Sequence, residues 1–212
     1  MKDIRFTKAA VFVNCLVPLA LLGWDAWRGR LGANPLEFVT RTTGTLTLVF
    51  LLLSLAVTPA RRLTGAQWLI KLRRMLGLYA FFYGALHLVT YVWFDKSLDA
   101  RAVAVDIGRR PFVAVGMLAF FLMVPLAVTS TNAMIKRLGG KRWARLHKLA
   151  YAAALGGVLH YYLLVKADTR KPLVFAAALA LLLGYRLYAA YTSDKLKANP
   201  LSLSPRQLRQ RD

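Results

Sequence analysis

The stretch RLHKLAYAAALGGVLHYYLLV, residues 145–165, is strongly apolar yet carries two of the three histidines in the chain, His147 and His160. A run of about 20 apolar residues is long enough to cross the hydrocarbon core of a bilayer as one helix. Ionisable side chains inside such a helix are rare and usually functional. The stretch therefore predicts a transmembrane helix with one histidine at its mouth and another deep inside.

The rest of the chain repeats this apolar pattern. Of its 212 residues, 58% are hydrophobic and 18% are charged, whereas soluble domains are about half apolar and about 25% charged. The connections between the apolar blocks are short and leave no room for a separate soluble domain. We therefore predict an all-α membrane protein, a single six-transmembrane-helix bundle formed by residues 1–212. The six predicted spans cover about residues 9–27, 42–60, 74–94, 112–130, 146–166 and 172–190.

The net charge of +21 comes from basic residues that cluster at the ends of the spans, which argues against a nucleic-acid-binding surface. Lys and Arg are enriched in the cytoplasmic segments of membrane proteins. With a cytoplasmic N-terminus, the inner segments hold 19 basic residues and the outer segments hold 10. We therefore expect both termini on the cytoplasmic side, with residues 192–212 as a loose cytoplasmic tail.

Spans two and four end alike, in LAVTP (Leu55–Pro59) and LAVTS (Leu126–Ser130). Each is followed by a basic inner segment that contains tryptophan, and then by a span with a deep histidine. The shared order of features indicates an internal repeat. Its aligned pairs are Arg73 with His147, Gly84 with Gly157, and His87 with His160.

The two deep histidines are predicted to lie at matched depth. In the expected topology spans three and five both run outward, and His87 and His160 follow the inner ends of their spans by 14 and 13 residues. At 1.5 Å per residue both lie roughly 20 Å from the inner ends, in the outer half of the bilayer. One such histidine alone is consistent with a simple hydrogen bond to a neighbouring helix. Two at the same depth favour a shared ligand.

Haem is the ligand that fits the residues available. Zinc takes three or four protein ligands, and neither a carboxylate nor the single Cys15 lies near this depth to complete such a set. Haem needs only two axial ligands, and neutral imidazole nitrogens bind iron. We therefore predict His87 and His160 as axial ligands of a haem b. Gly84 and Gly157 are candidates for close approach of the macrocycle, with helix packing in lipid as the alternative.

The inner histidine requires another explanation. On a straight helix His147 lies about 140° around the axis from His160 and about 20 Å away, so the two cannot bind the same iron. His147 is either an interfacial histidine or part of an inner site for a second haem, a flavin or a quinone. Arg73 shares a face with His87. It is a candidate partner for haem propionates, a flavin phosphate or a quinone oxygen, or a charge that sets topology.

Two stretches carry a family resemblance: LRRMLGLYAFFYGALHLVTY (Leu72–Tyr91) and KRWARLHKLAYAAALGGVLHYYLLV (Lys141–Val165). They resemble the ferric-reductase-like transmembrane family, and within it the haem-binding membrane subunits of periplasmic methionine-sulfoxide reductases. The resemblance covers most of the chain. It implies a protein of the bacterial inner membrane that passes electrons from the quinone pool, through haem b, to a soluble periplasmic molybdopterin reductase that repairs oxidised envelope proteins. It also implies FMN on the cytoplasmic side.

By position, the resemblance makes His87 and His160 the ligands of an outer haem and assigns His147 to the inner site. Many relatives carry a fourth histidine where this chain has Arg73, so we expect one haem and leave a second, at His147, open. The catalytic site is then expected on the partner protein, with the outer loop Asp95–Arg110 as an exposed docking surface.

Two alternatives remain at this point. One is a stand-alone transmembrane ferric or other metal reductase, although such relatives carry a C-terminal flavin- and nicotinamide-binding domain for which we expect no room after the last span. The other is a transporter or membrane chaperone without a cofactor, in which the histidines serve proton transfer or packing.

Overall fold

The computed structural model describes residues 4–198, and the environments of side chains up to residue 192; most of the predicted tail 192–212 lies outside this range. The described part is helical and contains no strand, which confirms the all-α class. The helices are α1 (Ile4–Trp27), α2 (Pro35–Thr64), α3 (Arg73–Val89), α4 (Ala100–Arg109), α5 (Pro111–Val128), α6 (Asn132–Leu138), α7 (Gly140–Leu146), α8 (Leu149–Leu164) and α9 (Arg170–Ala198). A 3₁₀ turn (Gln67–Lys71) precedes α3 and a π-helical turn (Thr90–Asp95) extends it.

The ends of the long helix α2 illustrate how local sequence sets helix boundaries. Asn34 caps its start by accepting a hydrogen bond from the backbone N–H of Glu37, at 3.1 Å, and Pro35 occupies the first position, where its missing N–H costs nothing. Gly65 ends the helix at φ 71°, a left-handed conformation that glycine adopts without a steric penalty. These signals extend α2 beyond the predicted span 42–60 at both ends.

Five described helical segments are long and apolar enough to cross a membrane: Ile4–Trp27, Pro35–Thr64, Arg73–Asp95, Pro111–Val128 and Arg170–Thr192. They correspond to five of the six predicted spans, and the molecule is a membrane protein.

The segment predicted as a span over 146–166 contains α8, which has 16 residues, or about 24 Å against a hydrocarbon thickness of about 30 Å. A tight turn at His147 and Lys148 shortens it, because the N–H of Lys148 bonds to the carbonyl of Arg145, three residues back. Helix length alone therefore supports five spans, and the sixth span and the sidedness of the termini stay predictions.

Two helical hairpins form the centre of the bundle. Helix α2 packs along α3, and α5 packs along α8, in the most extensive helix–helix contacts of the described chain. Between the hairpins lies the core, in which Leu55, Ala80, Tyr83 and Ala154 are almost fully buried. We call α2–α3 the first hairpin and α5–α8 the second hairpin.

Tyrosine side chains attach α1 to the first hairpin. The hydroxyl of Tyr83 donates to the carbonyl of Cys15 at 2.7 Å, and that of Tyr79 donates to the carbonyl of Phe12 at 2.9 Å. Buried phenol hydroxyls need such partners, since an unpaired one carries a desolvation cost of about 1–3 kcal/mol. The two bonds fix the position of α1 beside α3.

Candidate functional site

The candidate site contains a pair of imidazoles, from His87 on α3 and His160 on α8. Their rings lie side by side, with centroids 6.0 Å apart and planes inclined by 77°. Each hairpin thus contributes one imidazole to a common point. Among the described residues, no group of three or more His, Cys, Asp or Glu side chains could hold a metal ion. The site therefore offers two imidazoles and no further side-chain ligand of these types.

Each imidazole is oriented by the backbone of its hairpin partner. Nδ1 of His87 lies 2.8 Å from the carbonyl oxygen of Thr40 on α2, and Nδ1 of His160 lies 2.6 Å from that of Phe112 on α5. A carbonyl oxygen can only accept, so each neutral ring must carry its proton on Nδ1. The Nε2 atom of each ring then keeps its lone pair, which is the form of imidazole that binds a metal.

Two glycines make this approach possible. A β-carbon at Gly44 would lie 3.0 Å from Cε1 and 3.0 Å from Nδ1 of His87. One at Gly116 would lie 2.6 Å from Nδ1 of His160 and 2.9 Å from its Cε1. Each glycine follows the accepting carbonyl by four residues and so sits one helical turn beyond it, on the same face.

Gly44 and Gly116 were not predicted from the sequence, because the candidate glycines, Gly84 and Gly157, were those on the helices that carry the histidines. A signal was present on the preceding helices. The two glycines stand 43 and 44 residues before their histidines, a matched spacing within the internal repeat.

The two glycines that the sequence singled out are in contact with other helices. A β-carbon at Gly84 would meet Thr47 at 3.4 Å and Phe120 at 3.5 Å, and one at Gly157 would meet Leu48 at 2.8 Å. Both positions are thus occupied by helix packing in this structure. Their part in accommodating a macrocycle stays a prediction.

At the end of the bundle opposite the paired imidazoles, His147 belongs to a separate cluster in the second hairpin. We call this end the inner end and the end with the paired imidazoles the outer end, after the predicted topology. The Thr129 hydroxyl donates to the carbonyl of Pro125 at 2.6 Å and lies 3.1 Å from Nε2 of His147. Its single proton is used, so it accepts from an Nε2–H of His147. The ring of Trp143 stacks on His147 at 3.9 Å, and its Nε1–H donates to the carbonyl of Thr129 at 3.0 Å.

Two arginines, Arg73 and Arg186, lie at the same end of the bundle as this cluster. Arg73, at the start of α3, lies close enough for its charge to act on both His147 and Arg186. The guanidinium of Arg186 on α9 bonds to the Tyr151 hydroxyl and, at 2.9 Å, to the carbonyl of Leu55. The structure therefore places Arg73 and His147 in one neighbourhood, on the side of the bundle away from the paired imidazoles, since Arg73 begins α3 and His147 lies in the turn just before α8.

The outer loop after α3 is held by one buried carboxylate. Asp106 of α4 is 8% exposed; it accepts from Lys96 at 2.8 Å and from the hydroxyl of Tyr91 at 3.1 Å. The hydrogen bond from Lys96 holds the pKa of Asp106 below its ordinary range, and the same bond raises the pKa of Lys96. These contacts join α4 to the end of α3, just beyond His87.

The spacing of the paired imidazoles fits a metal held between them. Metal–imidazole bonds are about 2 Å long and each nitrogen lies roughly 1 Å from its ring centre, so two opposed ligands have centroids about 6 Å apart. The observed 6.0 Å agrees with this. With two protein ligands on offer, the group that fits is one that supplies the remaining ligands itself, as the porphyrin of haem does.

Fold and site together define a multi-helix membrane protein in which one histidine from each hairpin lies beside the other. The chain belongs to the ferric reductase like transmembrane component family, whose model matches residues 43–158. This range runs from the middle of α2 into α8 and includes His87 and His147.

Curated relatives cover nearly the whole chain and share one name, "Protein-methionine-sulfoxide reductase heme-binding subunit MsrQ". The relative from Ralstonia nicotianae is 52% identical over 189 residues, 88% of this chain and 87% of its own length. That from Herminiimonas arsenicoxydans is 49% identical over 202 residues, 94% and 92% of the two chains. That from Rhodospirillum rubrum is 54% identical over 186 residues, 88% and 89%. The family resemblance predicted from the sequence is confirmed.

Proposed function

We propose that this chain is the haem-binding membrane subunit of a protein-methionine-sulfoxide reductase system, with His87 and His160 as the axial ligands of one haem b. The observation that carries the proposal is the pair of imidazoles 6.0 Å apart, each with its proton directed away onto a backbone carbonyl. The names of the curated relatives support the same cofactor and the same system.

In this function the chain supplies position and electrostatics. The two hairpins hold one imidazole each, and the apolar helices around them exclude water from the site. Haem, when bound, supplies a one-electron carrier whose potential depends on its axial ligands, on their hydrogen bonds and on burial. The catalytic site for methionine sulfoxide lies on the partner protein.

The direction of electron flow follows from a six-span topology in the bacterial inner membrane, with both termini in the cytoplasm. The paired imidazoles then lie toward the periplasm, and the cluster of His147 and Arg73 lies at the cytoplasmic end. We place the electron input there, from the quinone pool and with FMN bound near these residues. His147 is also the candidate ligand for a second haem, although its Nε2 is engaged by Thr129 in this structure.

We propose the outer loop Asp95–Arg110 as the surface that meets the soluble periplasmic partner, a molybdopterin enzyme. The loop follows α3 directly, within a few residues of His87. The buried contacts of Asp106 hold it in one arrangement, which supports a preformed docking surface.

The decisive experiment is cofactor extraction from the purified full-length chain. We expect haem b at one per chain, a low-spin spectrum that responds to dithionite, and FMN in a separate fraction. A colourless protein would contradict the proposal and favour a transporter or chaperone without a cofactor.

A second measurement separates an electron-transfer subunit from a stand-alone ferric or other metal reductase. The reduced chain in liposomes is mixed with ferric citrate or with the purified periplasmic partner and methionine sulfoxide. We expect rapid reoxidation of haem only with the partner and its substrate. Equally rapid reoxidation by ferric citrate alone would favour the stand-alone reductase.

A further inference from the structure

We propose that Gly44 and Gly116 are positioning residues for the two haem ligands, and that they set the haem potential from the helices opposite the histidines. The inference rests on the proposed function, because it takes His87 and His160 as axial ligands. It adds α2 and α5 to the site: each provides a carbonyl acceptor and, one turn later, the space that lets the imidazole reach it.

The geometry gives each glycine a specific neighbour. The three atoms nearest to a β-carbon at Gly116 all belong to the ring of His160, at 2.6, 2.9 and 3.1 Å. The three nearest at Gly44 all belong to His87, at 3.0, 3.0 and 3.6 Å. In both cases the histidine ring is the nearest neighbour of the missing side chain.

The hydrogen bond from each imidazole Nδ1–H to a backbone carbonyl affects the basicity of the imidazole. Within an α-helix the carbonyl of residue i already accepts the N–H of residue i+4, so Thr40 and Phe112 offer their second lone pairs to the imidazoles. A partner on the far nitrogen fixes the tautomer of a ligating histidine and raises its basicity. A more basic ligand stabilises ferric iron and lowers the potential of the haem. Displacing the ring from the carbonyl therefore shifts the potential upward.

Other glycines of the same hairpins provide matched controls. A β-carbon at Gly156 would lie 3.0 Å from that of Ala119, between α5 and α8, without contacting His160 among its nearest atoms. A β-carbon at Gly77 on α3 would have no neighbour within 4 Å. Gly156→Ala thus strains the second hairpin as Gly116→Ala does, but leaves the ring and its hydrogen bond alone.

The test compares Gly116→Ala, Gly44→Ala, Gly156→Ala and Gly77→Ala in the purified full-length chain. Haem affinity is measured by titrating haem into the apoprotein, and the midpoint potential by redox titration of the loaded protein. We expect Gly116→Ala to lose about 10–100-fold in haem affinity and to shift the potential upward. Gly44→Ala, whose contact is longer, shifts both in the same direction by less. Gly156→Ala and Gly77→Ala keep the parent potential.

Potentials in Gly116→Ala and Gly44→Ala that equal that of Gly156→Ala would overturn the inference. If Gly116→Ala fails to fold, Gly44→Ala decides the same question in the other hairpin. The proposed function is tested separately by His87→Ala and His160→Ala. If both histidine variants lose haem while the glycine variants keep the parent midpoint potential, the inference about the glycines is refuted and the proposed function stands. Haem retained by both histidine variants refutes the proposed function.

Discussion

The first and second hairpins are alike at their outer ends and different at their inner ends. At the outer end each presents a histidine whose Nδ1–H bonds to a carbonyl of the preceding helix, with a glycine one turn beyond that carbonyl. At the inner end only the second hairpin has a histidine. There Thr129 accepts from His147, whereas Thr58, its counterpart in the repeat, has a buried hydroxyl that finds no hydrogen-bond partner among the described residues.

This difference indicates that the two ends serve different chemistry. A cofactor held symmetrically needs the same ligand from both hairpins, and only the outer end provides it. At the inner end the first hairpin offers the permanent charge of Arg73, which suits an anionic group or a polar oxygen better than a metal. The comparison thus favours one symmetric haem site and an asymmetric inner site.

The largest effect is expected from removing either outer histidine. His87→Ala and His160→Ala each remove one of the two proposed axial ligands, so each should abolish the low-spin haem spectrum in the purified protein. If the hairpins contribute equally, the two losses are the same. A low-spin spectrum that survives in one variant would show that the hairpins are not equivalent.

His147→Ala is the matched substitution at the inner end. It should leave the outer haem spectrum intact and lower the rate of haem reduction by a quinol analogue in liposomes, because it alters only the asymmetric site. Loss of all haem from this variant would contradict the separation of the two ends.

The paired glycines Gly84 and Gly157 differ in how tightly their surroundings are packed. Gly157→Ala places a methyl group 2.8 Å from Leu48, and such overpacking costs about 1–3 kcal/mol. In Gly84→Ala the new methyl group meets its neighbours only at 3.4 Å or more. The higher helix propensity of alanine stabilises the helix by about 1 kcal/mol, which offsets the small cost of this contact. Denaturant titration in detergent should therefore show a loss of stability for Gly157→Ala and almost none for Gly84→Ala.

Haem affinity in the same two variants tests the sequence-based hypothesis for these glycines. If both glycines accommodate the macrocycle, both substitutions lower haem affinity whatever their effect on stability. Unchanged affinity in Gly84→Ala would leave packing as the function of that position.

The two threonines of the repeat make a third comparison. Thr129→Val removes the acceptor for the Nε2–H of half-buried His147 and should destabilise the protein by about 1–2 kcal/mol. Thr58→Val removes a hydroxyl with no hydrogen-bond partner in the part of the chain that the structure describes and should be neutral or slightly stabilising. Thermal unfolding of the two variants side by side measures this difference. Equal destabilisation would indicate that Thr58 has a partner, such as a bound ligand, in the working protein.

The sequence predicted the parts of this molecule that depend on side-chain pattern. The length of the apolar runs located the five long helices. Counting residues from the inner ends brought His87 and His160 to the same depth, and the structure places their rings side by side. The family was predicted from the same stretches and is confirmed.

What the sequence left open depends on the backbone. The acceptors for the two imidazoles are carbonyl groups of Thr40 and Phe112, and any residue offers such a group, so no side-chain motif marks it. The start of α8 at Leu149 depends on the tight turn that follows α7, which hydropathy does not detect. Both features become visible only once the helices are packed.

The loops that follow the two outer histidines also differ in how deeply their ion pairs are buried. After His87, Asp106 is buried against Lys96 at 2.8 Å. After His160, Asp168 and Arg170 form an exposed contact at 4.0 Å, and exposed pairs of this kind contribute little. We therefore expect the carboxylate to stabilise the loop only in the first hairpin, where it is Asp106.

The smallest effect is a pH dependence confined to that loop. Because the pKa of Asp106 is lowered in the folded protein, its contribution to stability is complete above the ordinary aspartate pKa of about 3.9 and is lost as pH falls through the lowered value. The pKa of Lys96 is raised in the folded protein. Its contribution to stability is therefore complete below the ordinary lysine pKa of about 10.4 and is lost as the pH rises through the raised value. Between these limits, amide hydrogen exchange in α4 should show constant protection.

Asp106→Asn should expose α4 to hydrogen exchange at neutral pH, and exchange in its loop should no longer change as the pH is lowered. The control Asp168→Asn should behave as the parent chain.

The Asp106→Asn variant also tests docking: if α4 meets the periplasmic partner, Asp106→Asn slows haem reoxidation by the partner and leaves the haem spectrum unchanged. An Asp106→Asn chain with parental exchange in α4 would show that the neutral contacts of the loop are sufficient to hold it, and that the buried carboxylate does not distinguish the two hairpins.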